Sequence, residues 1–253
     1  MPFFNKIRKD QIKTDGMKRY LLYAVGEIVL VVIGILIALQ LDNYNGNLKQ
    51  EKQELRALQN LKLDFGFNFA EIQRTNRNLK TTKNVCLSTI NHTGSKFSNR
   101  FEVDSLVDVM TWTPQYYPQN GFLLELVNSG NFEIISNDIL RNRLSSWLPT
   151  LETLHEREKF SLEFSKDVIR FIVKNGSWLN ADEMSKDQQV REVNFPKSGF
   201  QVDNNQMLKS VEFENLIENQ IMNQTILLER QERCIRLNKE ILNLLDLELK
   251  KQQ

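Results

Sequence analysis

The chain has 253 residues, 33 Lys and Arg against 32 Asp and Glu, and 41% hydrophobic residues. That length holds one sizeable domain with a real core. Only 10 Gly and 5 Pro in a chain rich in Leu, Glu, Lys, Gln and Asn disfavour a turn-rich β fold and favour helix.

Residues 1–20 carry Lys6, Arg8, Lys9, Lys13, Lys18 and Arg19 against Asp10 and Asp15, a net +4. Phe3, Phe4 and Ile7 are interleaved with these cations. This suits either a short helix lying on an anionic membrane surface or a disordered basic tail, with Gly16 ending it. The tail feeds into Leu21–Leu41, LLYAVGEIVLVVIGILIALQL, which as a helix spans roughly 30 Å, the thickness of a bilayer's hydrocarbon core. Basic residues before a first span keep that end in the cytoplasm, so the rest of the chain is expected outside. A cleaved signal peptide needs small residues at the end of its apolar core. Here the run ends in Leu36-Ile37-Ala38-Leu39-Gln40-Leu41, and the expectation is an uncleaved signal anchor in contact with membrane lipid. Phe160–Val173 is no second span, because Glu163, Lys166, Asp167 and Arg170 interrupt it.

Glu27 is the anomaly of the span, since an intramembrane carboxylate is costly and often functional. Gly34 and Ala38 share its face at a small-x-x-x-small spacing, which admits a second helix. The residues equally allow a carboxylate tolerated near the cytoplasmic interface, within reach of Lys18 and Arg19.

Beyond the span, 27 basic and 29 acidic residues remain, a balance that offers nucleic acid no basic surface. From Leu48 a heptad pattern sets in, with Leu48, Leu55, Phe69 and Ile90 in one line and Leu58, Phe65, Ile72, Leu79 and Cys86 in the other. Lys62, Asn76 and Lys83 interrupt the first line. The pattern therefore predicts a long helix docked against others rather than a self-sufficient coiled coil, ending near Asn91–Gly94. A short helix is expected over Val103–Trp112. Thr113–Gly121, with two prolines and a glycine, cannot be helical. Phe122–Asn128 resumes helix, with Gly130 at the left-handed cap position. Ser136 and Asn137 are N-cap candidates for a helix running through Leu140, Leu144, Trp147, Leu151 and Leu154 to Val173. Pro149 predicts a kink or break in it, and Asn175-Gly176 its stop. Ser177–Asn205 reads as a long loop with at most one helical turn. Gln206–Leu249 predicts a last long helix, antiparallel to the first.

Chemistry-bearing motifs are scarce. Cys86 and Cys234 fall on buried stripes, as free thiols or as a disulfide. Glu152, His155 and Glu158 stand at three-residue spacing, half of what a di-iron bundle requires, but no second such pair exists, and a solvated charged face with Arg157 and Lys159 accounts for them. No nucleophile elbow and no phosphate-binding glycine loop occurs. No catalytic residue, cofactor or metal is therefore assigned, and the chain is not expected to be an enzyme. Trp112, Tyr116, Tyr117 and Phe122 cluster around the proline-containing loop with Glu125 one turn on. They form the candidate ligand or partner site, with core and loop-anchoring roles as the alternative for the same rings.

Tyr20–Gln40, preceded by Phe3-Phe4-Asn5-Lys6-Ile7-Arg8, resembles the opening of an uncharacterised single-pass membrane family of Bacteroidota, a domain of unknown function. Glu125–Ile135 and Leu140–Leu144 are similar to its central block. The resemblance implies a Gram-negative envelope protein with its domain in the periplasm, and supplies no activity. The expected fold class is all-α, an N-terminal transmembrane helix followed by a long-helix bundle domain. The parts are a cytoplasmic tail (1–20), the anchor (21–41) and a periplasmic domain (42–253). The expected function is an interaction or scaffold component of the inner membrane, associating with a protein partner or with itself. The alternative is a small-ligand-binding sensory domain acting through a partner chain.

Overall fold

The computed structural model of the protein describes residues 17–252, the side chains of Met17, Lys18 and Arg19 excepted. The expectations for the basic tail and for Gly16 lie outside the described residues. Helix α1 spans Met17–Ile90 without a break. Asp42–Asn47, between the apolar run and the heptad pattern, continues it, because a single Gly46 costs only about 1 kcal/mol in a helix interior and no proline intervenes. The chain divides into two compact units at Arg56 and Ala57.

In the first unit the described residues are the N-terminal part of α1. Every side chain from Tyr20 to Gln53 is exposed except half-buried Ala24. None of its apolar run is buried, and it is long and apolar enough to cross a membrane.

The second unit, Ala57–Gln253, is all-α among the described residues. Its frame is the rest of α1 together with two further long helices, α5 (Trp147–Asn175) and α8 (Val211–Lys251). Between α1 and α5 in the chain come α2 (Val107–Thr111), α3 (Gly121–Asn128) and α4 (Asp138–Ser145). Helices α6 (Trp178–Met184) and α7 (Gln188–Val193) precede α8. Lys62 pairs with Asp246 at 2.5 Å and Lys80 with Glu232 at 3.7 Å, so α1 and α8 run antiparallel, as the sequence predicts. Phe65 packs its ring 5.1 Å from Trp147 near the start of α5, while Cys86 and Val168 share a cluster farther along. Helices α1 and α5 thus run in the same direction, with α8 opposed to both.

The line Leu58, Phe65, Ile72, Leu79 and Cys86 is buried throughout. Its companion is not the line Leu48, Leu55, Phe69 and Ile90, which is exposed or half-buried. The second buried line is Leu61, Asn68, Thr75, Thr82 and Thr89. Polar residues fill it at little cost because Thr75, Thr82 and Thr89 donate their hydroxyls to the carbonyls of Glu71, Asn78 and Val85, one turn back, at 2.9–3.2 Å.

Local stops and starts follow side-chain chemistry. Asn137 caps α4 by accepting from the Leu140 amide at 3.0 Å, and Gly130 takes the left-handed φ of 72° expected of it. The break expected at Pro149 falls earlier, at Ser146 between α4 and α5, since proline is tolerated in a helix's first turn where no amide partner is needed. Ser177–Asn205 is more ordered than expected and holds both α6 and α7, capped by Ser177 and Asp187. Helix α8 starts at Val211 rather than Gln206, with the Ser210 hydroxyl accepting from Phe213. Gly176, where α5 stops, has its position set by close packing: a Cβ there would lie 2.8 Å from Asn204 Oδ1 and 3.1 Å from the Ile172 carbonyl.

Candidate functional site

The proline-containing segment is an extended strap laid between α1 and α5. Along α5 it runs backwards: Thr113 Oγ1 meets Ser165 Oγ at 2.6 Å, the Tyr116 amide donates to Glu158 Oε1 at 3.0 Å, and Trp147 Nε1 donates to Asn120 Oδ1 at 2.8 Å. His155 Nε2 lies 3.2 Å from the Tyr116 carbonyl, so both backbone polar groups of Tyr116 are met by side chains of α5. Along α1, Asn68 makes a two-way bond, donating to the Gln119 carbonyl and accepting its amide, each at 2.7 Å. An extended chain without sheet partners needs such side-chain partners for its backbone. The fold supplies them from helices that face the strap.

The expected aromatic site is divided by this arrangement. Tyr116 is 1% exposed and donates its hydroxyl to the Asn68 carbonyl at 3.1 Å, so its ring belongs to the core. Burial raises its pKa far enough that it stays a neutral phenol. Tyr117, 74% exposed, bonds only locally to Gln115 among the described contacts. Trp112 is half-exposed, Glu125 is exposed and Phe122 is half-buried against the core. Two shallow grooves flank the strap. One, about 350 Å³, is lined by Asn120, Leu148, Leu151, Glu152, His155, Glu156 and Lys159; the other, about 410 Å³, is lined by Leu63, Phe122 and their neighbours.

Beneath the strap lies a feature the sequence pattern hides. The apolar core forms two clusters, one containing Phe65, Trp147 and Leu227, the other containing Cys86, Val168 and Phe213. Between them the buried side chains are polar: Thr82 on α1, Thr113 on the strap, Glu158, Ser161 and Ser165 on α5, and Gln220, Asn223 and Gln224 on α8. Gln220 Nε2 donates to Ser165 Oγ at 2.8 Å and Arg157 donates to Asn223. Ser161 Oγ, Gln220 Oε1 and Gln224 Oε1 have no partner among the described residues. Glu158, 2% exposed, is not part of the solvated charged face expected for it, because the inward heptad phase of α5 passes through it. Burial raises its pKa to about 7, with the Tyr116 amide acting in the opposite sense. Glu152, one turn and a half away, is exposed, and no group of three His, Cys, Asp or Glu among the described residues converges on a metal position.

Both cysteines are free and buried, Cys86 in one apolar cluster and Cys234 in the other. Burial pushes each thiol up to about 12, which leaves neither a ready nucleophile.

Glu27, Gly34 and Ala38 lie on the exposed first part of α1, and a Cβ placed on Gly34 would meet nothing within 4 Å. No curated protein and no solved structure matches the chain. Residues 27–167, over half the chain and including α1 from Glu27, the strap and the inward polar positions Glu158, Ser161 and Ser165 of α5, match one family, and the protein accordingly belongs to DUF6090, a family of unknown function.

Proposed function

We propose that the protein is a single-pass component of the inner membrane that holds a helical domain in the periplasm and works by association: an interaction or scaffold protein, not an enzyme. The observation that carries this reading is the exposed apolar stretch of α1. In water such a surface is far larger than soluble proteins leave open, whereas lipid covers it at no cost. The basic residues ahead of it orient the N-terminus to the cytoplasm. Association uses helix faces, around Glu27, Gly34 and Ala38 in the membrane and along the long helices outside it. Protease added to spheroplasts should digest the domain and spare an N-terminal tag; a protected domain would reverse the orientation. A complex larger than the monomer should survive gentle solubilisation, and a monomer alone would count against association.

A second reading, a small-ligand sensor acting through a partner chain, is favoured by the groove beside the strap, where Asn120, Glu152, His155 and Lys159 put polar groups around about 350 Å³, within the size range of ligand sites. Thermal-shift screening against small polar metabolites tests it. A stabilisation abolished by His155→Ala supports a ligand there, and no shift with any compound removes the reading.

A further inference from the structure

We infer that Arg157 and Arg230 hold an oxyanion, a phosphate or carboxylate carried on an apolar body, at the outer edge between α5 and α8. The site shares no residue with the grooves beside the strap, and it stands or falls apart from the association reading. Arg157 on α5 is half-buried and reaches across to α8. Its Nη2 donates to Asn223 Oδ1 and, at 3.4 Å, to the Asn223 carbonyl. Its Cζ lies 4.6 Å from the centre of the Phe160 ring. Asn223 is itself held, because its Nδ2 donates to the Asn219 carbonyl at 2.9 Å, which keeps the side-chain oxygen turned to the guanidinium. A planar fork fixed at one nitrogen and against one ring presents its remaining edge in a set direction, the arrangement by which arginine recognises carboxylate and phosphate.

What this arginine lacks is an anion. Its neighbours three and four residues away along α5 are Thr153, Leu154, Phe160 and Ser161, so no carboxylate stands at helix-pair spacing. Arg230, on the same stripe of α8 as Asn223, has Ile226, Leu227, Arg233 and Cys234 at those spacings. Neither arginine forms an ion pair among the described residues. Burial and then the Arg230 charge lower the Arg157 pKa, the sign expected where two cations approach with no acid between them. Arg157 Nε is buried without a partner among the described residues. Holding a half-buried cation beside a like charge is unfavourable, yet Asn223 and Phe160 hold this one in place. An oxyanion lying against both guanidinium groups turns the repulsion into charge-assisted hydrogen bonds. The surface next to the pair is carbon: Phe160, 49% exposed and with its ring 5.3 Å from that of Phe164, and exposed Ile226 one turn before Arg230. Such flanks suit an organic acid or a phosphate ester over a bare inorganic ion.

The test is calorimetric titration of the full chain in a non-ionic detergent, at neutral pH and low ionic strength, with phenyl phosphate, inorganic phosphate and, as the uncharged control, benzyl alcohol. Phenyl phosphate should bind, inorganic phosphate should bind several-fold more weakly, and benzyl alcohol should not bind. Arg230→Gln should weaken phenyl phosphate several-fold while the ligand-free protein melts at the same temperature or higher, since the change removes only a like-charged neighbour. Arg157→Lys, which keeps the charge and loses the fork, should also weaken it several-fold. No binding of phenyl phosphate, or equal affinity in the wild type and Arg230→Gln, overturns the site. A lower melting temperature for ligand-free Arg230→Gln overturns it too, by showing that Arg230 already has an anionic partner within the fold. Equal binding of the two phosphates overturns the apolar body and leaves the oxyanion on the arginine pair.

Discussion

Glu158 shows how one buried residue sets the pH response of the bundle. It is an acid whose pKa is higher in the folded protein, about 7, than its ordinary 4.5, so the folded state holds the proton more tightly. Its contribution to stability is fully present below pH 4.5 and is lost as pH rises through about 7, a loss of about 3 kcal/mol for a shift of this size. The neighbouring groups do not offset it: His155 is engaged with the Tyr116 carbonyl, and Cys234 is pushed up partly by Glu158 itself. Glu158→Gln keeps an oxygen for the Tyr116 amide and removes the charge. The full-length variant in detergent should melt above the wild type at pH 8 and close to it at pH 5; equal melting at both would mean the carboxylate is solvated. Asn68 acts on the strap from the other side. Asn68→Ala strands both the amide and the carbonyl of Gln119, and a drop of about 1–3 kcal/mol in unfolding free energy is expected, measured by denaturant titration.

At the level of elements, the sequence exposes what is periodic and apolar and conceals what is periodic and polar. The line from Leu58 to Cys86, the stop at Gly176, the Asn137 cap and the antiparallel course of α1 and α8 are all legible, because hydrophobic spacing and capping chemistry are local. The companion line Asn68, Thr75, Thr82 and Thr89 is not, since nothing local distinguishes a threonine turned inward from one turned to water. Only the strap and α5, distant in sequence, make these positions interior, and for the same reason the sequence leaves Tyr116 open between a recognition aromatic and a core ring until Asn68 and Glu158 are seen to enclose it. Helix α8 carries the extreme case. Gln224, Gln231 and Asn238 recur at heptad spacing, all buried, and both amide atoms of Asn238 lack partners among the described residues. An unpaired buried amide costs about 1–3 kcal/mol, and leucine is γ-branched like asparagine with a better helix propensity. Asn238→Leu should therefore raise the unfolding free energy by about 1 kcal/mol or more, read as a higher denaturant midpoint. A lower midpoint would show that the amide is satisfied and fixes the register of α8.

For the whole molecule, the division at Ala57 separates two kinds of stability. All buried members of both apolar clusters lie from Ala57 onward, so the domain owes its core to none of the apolar stretch before it, and its length suffices to bury one. The apolar stretch of α1 contributes no packing of that kind, and its exposed aliphatic surface is stable only where lipid or another helix covers it. These two statements predict opposite behaviour for two versions of the chain. The full protein should stay with membranes through alkaline carbonate washing, whereas residues 42–253 produced alone should be soluble and helical, with cooperative thermal unfolding. That fragment should also be monomeric by sedimentation equilibrium, because Tyr44, Leu48 and Leu55 alone make too short an apolar line to hold two copies together. An aggregated or unfolded fragment would mean that the core depends on the apolar stretch of α1. A dimeric fragment would move the association surface from the membrane into the domain, onto the long helices rather than the line through Glu27 and Gly34.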